Sequence, residues 1–172
     1  MGGYGGESGK GKDKCYLNTA GNPVKDANAI FVAEHYLHQG KYVAFLAETP
    51  NEHRRADLMV EGAPIEVKGL ETSKANTICN SSIFKASEQI RQTIAESKFY
   101  EHKEGCKIIL LSRHKKNAKG VLAIPAVMEG YREALRKGIV SEKDKIEYWY
   151  KRDGKMRILK LHVHGSKNLV GD

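Results

Sequence analysis

The chain has 172 residues, enough for one domain with a full core, and 40% of them are apolar. No run approaches the roughly 20 apolar residues that a membrane-spanning helix needs, and the first residues lack the apolar stretch of a signal peptide. A formal net charge of +8 and a pI near 9.3 favour a polyanionic partner such as nucleic acid, because lysine and arginine release counterions condensed on phosphates.

Residues 1–20 are rich in glycine, serine and lysine, carry no hydrophobic periodicity, and read as a flexible leader. The remainder, 21–172, reads as one domain. Ala27, Ile30, Phe31, Glu34 and Leu37 fall at helical spacing, and Gly40 is placed to end that helix. Lys41–Glu48 predicts a strand, Arg55–Val60 a second and Ala63–Gly69 a third, the last two joined by a tight turn at Glu61-Gly62. A polar loop is expected from Leu70 to Asn80, then an amphipathic helix from Ser82 to Tyr100 with Ile83, Ala86, Ile90 and Ile94 on one side. Cys106–Ser112 is a continuous apolar run, the pattern of a strand buried on both faces. A basic loop spans Arg113 to Gly120, Pro125 starts another helix and Gly138 ends it. Lys145–Tyr150 and Met156–His164 form a C-terminal β-hairpin turning at Asp153-Gly154. The fold class is therefore α/β: a single domain with a mixed central β-sheet flanked by helices.

Chemistry concentrates in the Glu61-Gly62 hairpin. A turn there sets Val60 against Ala63, Leu58 against Ile65 and Asp57 against Glu66. Alternation along a strand puts Asp57, Glu66 and Lys68 on one face, and Leu58, Val60, Ile65 and Val67 on the other. Two facing carboxylates repel unless a cation lies between them. Magnesium or manganese suits such hard oxygen donors, and Lys68 would neighbour the activated water and the scissile phosphate. An ordinary solvent-facing hairpin with the same three residues is the plain alternative. Glu34, on the apolar stripe of the first helix, adds an acid that is costly there without a partner or cation. Lys85 and Gln89, spaced i, i+4, share a helix face suited to substrate or the attacking water.

Together the helix with Glu34, the strand pair Asp57-x8-Glu66-x-Lys68 and the helix with Lys85 and Gln89 resemble the core of the PD-(D/E)XK nuclease superfamily, over roughly residues 25–115. The resemblance implies that Asp57, Glu66 and the Val67 carbonyl bind Mg2+ or Mn2+, that Lys68 assists catalysis, and that Glu34 is an auxiliary acid. Ala56 stands where the motif's name has proline. Glu66-Val67-Lys68, a polar loop and Lys85-Ala86-x-x-Gln89 are more narrowly similar to the C-terminal transfer-RNA nuclease domains of contact-dependent growth inhibition toxins. That similarity implies RNA cleavage in the cytoplasm of a target cell, delivery as part of a larger protein, and a cognate immunity protein. A DNA endonuclease of restriction or resolvase type and a non-catalytic nucleic-acid-binding module are the alternatives, followed by a metal-independent ribonuclease built on histidine.

Elsewhere, Lys115, Lys116 and Lys119 in the basic loop are candidate phosphate contacts. His162 and His164 share a strand face without a third ligand, and Tyr148, Trp149 and Tyr150 fit cross-strand packing better than base stacking. The cysteines, Cys15, Cys79 and Cys106, are odd in number and far apart, so neither a disulfide framework nor a zinc site is expected.

Overall fold

The computed structural model describes residues 3–8, 13–47, 55–70, 74–96, 107–112, 123–163 and 165–168. The basic loop with Lys115, Lys116 and Lys119 lies outside them, as do Cys106 and His164.

Among the described residues nine strands form two sheets. The strands β1 (Gly3–Ser8) and β2 (Asp13–Leu17) make an antiparallel ribbon. The main sheet holds β3 (Val43–Phe45), β4 (Leu58–Val60), β5 (Ala63–Gly69), β6 (Lys107–Leu111), β7 (Lys145–Arg152), β8 (Lys155–His162) and β9 (Gly165–Asn168). Its strand order follows the chain, β3-β4-β5-β6-β7-β8-β9. The pairs β5–β6 and β6–β7 are parallel, and every other pair in this sheet is antiparallel.

Parallel neighbours need helical crossovers. The first contains a short turn α2 (Ala75–Thr77), a wider π-helical turn (Ile78–Ile83) and α3 (Phe84–Glu96), which run on from one another. The second contains α4 (Ile124–Arg136), started by Pro125 as its sequence predicts. Both crossovers step in the same direction across the sheet, so their common right-handedness puts both on one face. Ile78, Ile83, Ala86 and Ile90 accordingly pack with Val127 and Tyr131 over Ile108, Leu110, Ile146 and Tyr148. The other face is covered by α1 (Ala27–His38), whose Ala29, Val32, Ala33 and Tyr36 meet Leu58, Val60, Ile65, Val67, Ile109 and Trp149. Strand β6 is thus buried on both sides, which is why its run is apolar without alternation.

Four sequence expectations change. The leader is not structureless: residues 3–8 and 13–17 pair as β1 and β2, and Tyr16 is buried against Phe45 with ring centroids 5.2 Å apart. The Lys41–Glu48 and Arg55–Val60 strands shorten to Val43–Phe45 and Leu58–Val60. The loop expected over Leu70–Asn80 gives way to helix by Ala75, where a π turn lets polar Asn76 and Asn80 face outward while Ile78 and Cys79 turn in. The C-terminal hairpin turns at Asp153-Gly154 as expected, but it continues the central sheet, and β9 extends it by one more strand. Among the described residues no helix is long and apolar enough to cross a membrane.

Candidate active site

The hairpin that carries the site is fixed by its turn. Glu61 and Gly62 have φ of +50° and +80°, the two left-handed residues of a type I′ turn. Glu61 tolerates this conformation because its N–H donates to the Tyr42 carbonyl at 3.0 Å and its carboxylate accepts the Tyr42 N–H at 3.1 Å. The register that follows is the one the sequence predicts: Val60 opposite Ala63, Met59 opposite Pro64, Leu58 opposite Ile65.

Asp57 is the exception to regular strand geometry. Ala56 and Leu58 are buried on opposite sides of the sheet although two residues apart, because the chain bends at Asp57 just before β4 begins. The bend turns the Asp57 carboxylate toward β5, where Oδ2 accepts the Val67 N–H at 3.0 Å. The Asp57 N–H in turn donates to Glu66 Oε1 at 3.0 Å. Thr93 of α3 holds the bend from the other side: its hydroxyl accepts the Ala56 N–H at 2.7 Å and donates to the Gln89 carbonyl at 2.8 Å.

Glu66 is 1% exposed, so an ordinary solvent-facing hairpin does not describe this face. Its Oε2 pairs with the Lys68 ammonium at 2.8 Å. Lys68 also donates to Gln89 Oε1, and Gln89 Nε2 reaches the Arg55 carbonyl at 3.4 Å. The chain of contacts Asp57–Glu66–Lys68–Gln89–Arg55 therefore closes on the segment before β4 from which it started.

Asp57 bears the electrostatic consequence. Burial, the charge of Glu66 and a hydrogen bond between the two carboxyl groups push its pKa up from 3.8 to about 9, against the Val67 N–H, which favours the carboxylate. Without a cation the pair keeps a proton at neutral pH. Hard oxygen donors this close suit Mg2+ or Mn2+, which take one or two carboxylates and complete their shells with carbonyl oxygen and water. Among the described residues no three His, Cys, Asp or Glu side chains converge as a metal-ligand group, so protein donors beyond the pair would come from backbone, such as Val67.

The structure brings together Asp57, Glu66, Val67, Lys68 and Gln89. Lys85 is exposed one turn before Gln89 on the same face of α3. Glu34 is half-buried two turns beyond the start of α1, about 12 Å along its axis from Asp26. The acid of this helix whose charge bears on Asp57 is instead Asp26, the N-cap, which accepts the N–H groups of Asn28 and Ala29 at 2.9 and 3.2 Å. The N-terminus of α1 reaches the site because β5 ends on Gly69: a Cβ there would lie 2.5 Å from Asn28 Nδ2. Lys115 and Lys116 are outside the described residues.

Sequence reasoning missed two participants, Asp26 and Thr93, and one buried acid outside the site, Glu147. Asp26 carried a signal, an aspartate directly before a helical period. Thr93 carried none, since a threonine within a helix is ordinary. Glu147 is a second buried acid, on the α1 face, where the Trp149 indole N–H donates to it at 3.0 Å and the Lys107 ammonium lies 3.6 Å away. Its charge is met by these partners, and the aromatic residues Tyr148, Trp149 and Tyr150 are core, as the sequence suggested.

No protein-family model, curated protein or solved structure matches this chain.

Proposed function

We propose that the chain is a metal-dependent nuclease of the PD-(D/E)XK type, acting on phosphodiester bonds at Asp57, Glu66 and Lys68. The observation that carries this function is the pair of carboxyl groups across one hairpin, each accepting an N–H from the other's segment and hydrogen-bonded to one another, with an ammonium group tied to one of them. The element order adds support: a helix, a three-stranded meander, a helical crossover and a parallel strand is the order this nuclease core requires.

Asp57, Glu66 and the Val67 carbonyl would hold Mg2+ or Mn2+. A bound ion of this kind supplies charge neutralisation at the phosphoryl oxygens and a lowered pKa for a coordinated water. Lys68, whose side chain is 22% exposed, can be approached by a phosphodiester. Its ammonium, fixed between Glu66 and Gln89, presents a preorganised positive charge to the phosphoryl oxygens as negative charge builds there. Gln89 is a positioning residue that sets the Lys68 rotamer, and Thr93 sets the backbone from which Asp57 projects.

Transfer RNA is the first proposed substrate and DNA the second, an order carried by the similarity to growth-inhibition toxin domains and by the lack of a DNA-reading motif in the sequence. An immunity protein is the proposed protein partner, and the cytoplasm of a target cell the place of action.

The test is incubation with total RNA, purified transfer RNA and plasmid DNA, in magnesium or in EDTA, beside Glu66→Ala and Lys68→Ala. Magnesium-dependent cleavage lost in both variants supports the site, and the substrate cut decides between RNA and DNA. Full activity in EDTA points to a histidine ribonuclease, and binding without cleavage points to a non-catalytic module.

A further inference from the structure

A groove of about 390 Å3 opens beside Asp57. Its walls come from the segment after β2 (Asn18, Asn22 to Lys25), the start of α1 (Asp26, Ala29) and the end of β3 (Phe45 to Ala47). We infer that this groove seats the nucleotide next to the phosphate at which the Asp57–Glu66 pair acts, with Asn22 meeting the base edge and Lys25 the flanking phosphate. The inference rests on the nuclease function proposed above and adds to it the place where the substrate lies.

Access comes first. Glu66 is closed off from solvent, whereas Asp57 is part of the groove wall, so a chain lying in the groove passes along the reachable side of the carboxyl pair. Size and chemistry agree with that occupant. The volume is in the range of small-molecule sites and holds a nucleoside, and the wall joins an apolar strip (Pro23, Val24, Leu46) to a carboxamide and an ammonium. That mixture suits a flat base with polar edges attached to an anion. A purely acidic ligand would meet Asp26 and Asp57, and a purely apolar one would leave the polar rim unmatched.

The wall is also built before any ligand arrives. Asn18 Oδ1 accepts the N–H groups of Ala20 and Asn22 at 2.9 and 3.1 Å, and the Asn18 N–H donates to the Asn22 carbonyl at 2.8 Å. The Thr19 N–H donates to the Phe45 carbonyl at 2.9 Å, and the Thr19 hydroxyl accepts the Ala47 N–H at 3.0 Å. These bonds lock the segment to β3, and they use the backbone of Asn22 rather than its carboxamide. A pre-formed wall spares the ordering cost of binding.

Two measurements test it. A 4-thiouridine- or 4-thiothymidine-containing oligonucleotide is photo-crosslinked to the wild-type protein in EDTA, and the adducts are mapped by mass spectrometry. In parallel, Asn22→Ala and Lys25→Ala are assayed on whichever of transfer RNA or plasmid DNA the wild type cuts. The side chains of both residues are exposed, and thermal melts confirm that the variants fold. Adducts within 22–25 or 46–47, and a KM raised about tenfold in the double variant with kcat within twofold, are expected. Adducts confined to the outer face of α3 around Lys85, with KM unchanged, overturn the groove while leaving the catalytic pair standing. Groove adducts from a protein that cuts nothing would instead sink the nuclease function and keep the groove as a binding site.

Discussion

Asp57 and Glu66 are each held by the strand of the other: Glu66 accepts the Asp57 N–H at 3.0 Å, and the Asp57 carboxylate accepts the Val67 N–H, also at 3.0 Å. Such reciprocal clamping fixes two like-charged groups at close quarters, a costly arrangement for a sheet whose only task is to fold. Four experiments follow from it and from the contacts around it.

Asp57→Asn should raise stability in EDTA at pH 8 while abolishing cleavage. The folded pKa of Asp57, about 9, lies above its unfolded value of 3.8. Below about pH 4 the group is protonated in both states and costs nothing. As pH rises from 4 toward 9 only the unfolded state releases the proton, so stability falls across that window. Asparagine keeps the acceptor for Val67 and removes the titration. A gain near 1 kcal/mol appears as a melting temperature ~2–4 °C higher, with a flatter dependence between pH 5 and 9. A variant that melts below wild type at pH 8 would contradict the assignment of the strain to this carboxyl.

Magnesium should stabilise the protein more at pH 8 than at pH 6, because a cation must displace the proton held by the pair. At 100 times the dissociation constant the linkage amounts to about 2.7 kcal/mol. Calorimetric melts across a magnesium titration, with an EDTA control, give the comparison. Equal shifts in wild type and Glu66→Ala would place the ion elsewhere.

Thr93→Val should destabilise by about 1–3 kcal/mol, since it leaves the buried Ala56 N–H without its acceptor while conserving side-chain shape. Because Ala56 precedes the bend at Asp57, kcat should fall as well, with KM little changed. Urea unfolding and steady-state kinetics read the two effects separately. A fall in stability with full kcat per folded molecule would detach the bend from catalysis.

Glu147→Ala is the counterpart. It removes a buried acid of similar burial to Glu66, leaves Lys107 and the Trp149 indole without their acceptor, and should cost about 2–4 kcal/mol. Activity per folded molecule should stay within twofold, as the residue lies on the opposite face of the sheet from Lys68 and Gln89. Loss of turnover beyond the folded fraction would give this acid a role in chemistry.

The sequence made much of the site legible because its central hairpin obeys local rules. Glu61-Gly62 dictates the turn, the turn dictates the register, and the register dictates which side chains share a face. Ile108 to Leu111 announced a strand buried on both sides by lacking alternation. What stayed hidden depends on distant partners. The bend at Asp57 is held by the bond from Ala56 to Thr93, 37 residues further along the chain, and no periodicity encodes it. The ribbon at the start is glycine-rich and gains its place from Tyr16 packing on Phe45, a contact that composition does not reveal. Glu34 drew attention as an acid on an apolar stripe, yet Asp26, at the start of α1, is the acid of this helix whose charge bears on Asp57.

The in-line strand order has a consequence for how the molecule is made. Each strand of the main sheet pairs with the one synthesised just before it, so the sheet can grow edgewise from β3 as the chain leaves the ribosome, with no later strand inserted between earlier ones. Asp57 and Glu66, nine residues apart, meet as soon as the β4–β5 hairpin closes. The nascent chain thus juxtaposes its two acids well before α3 arrives with Gln89 to hold Lys68, and assembly of the ammonium site marks completion of the first crossover.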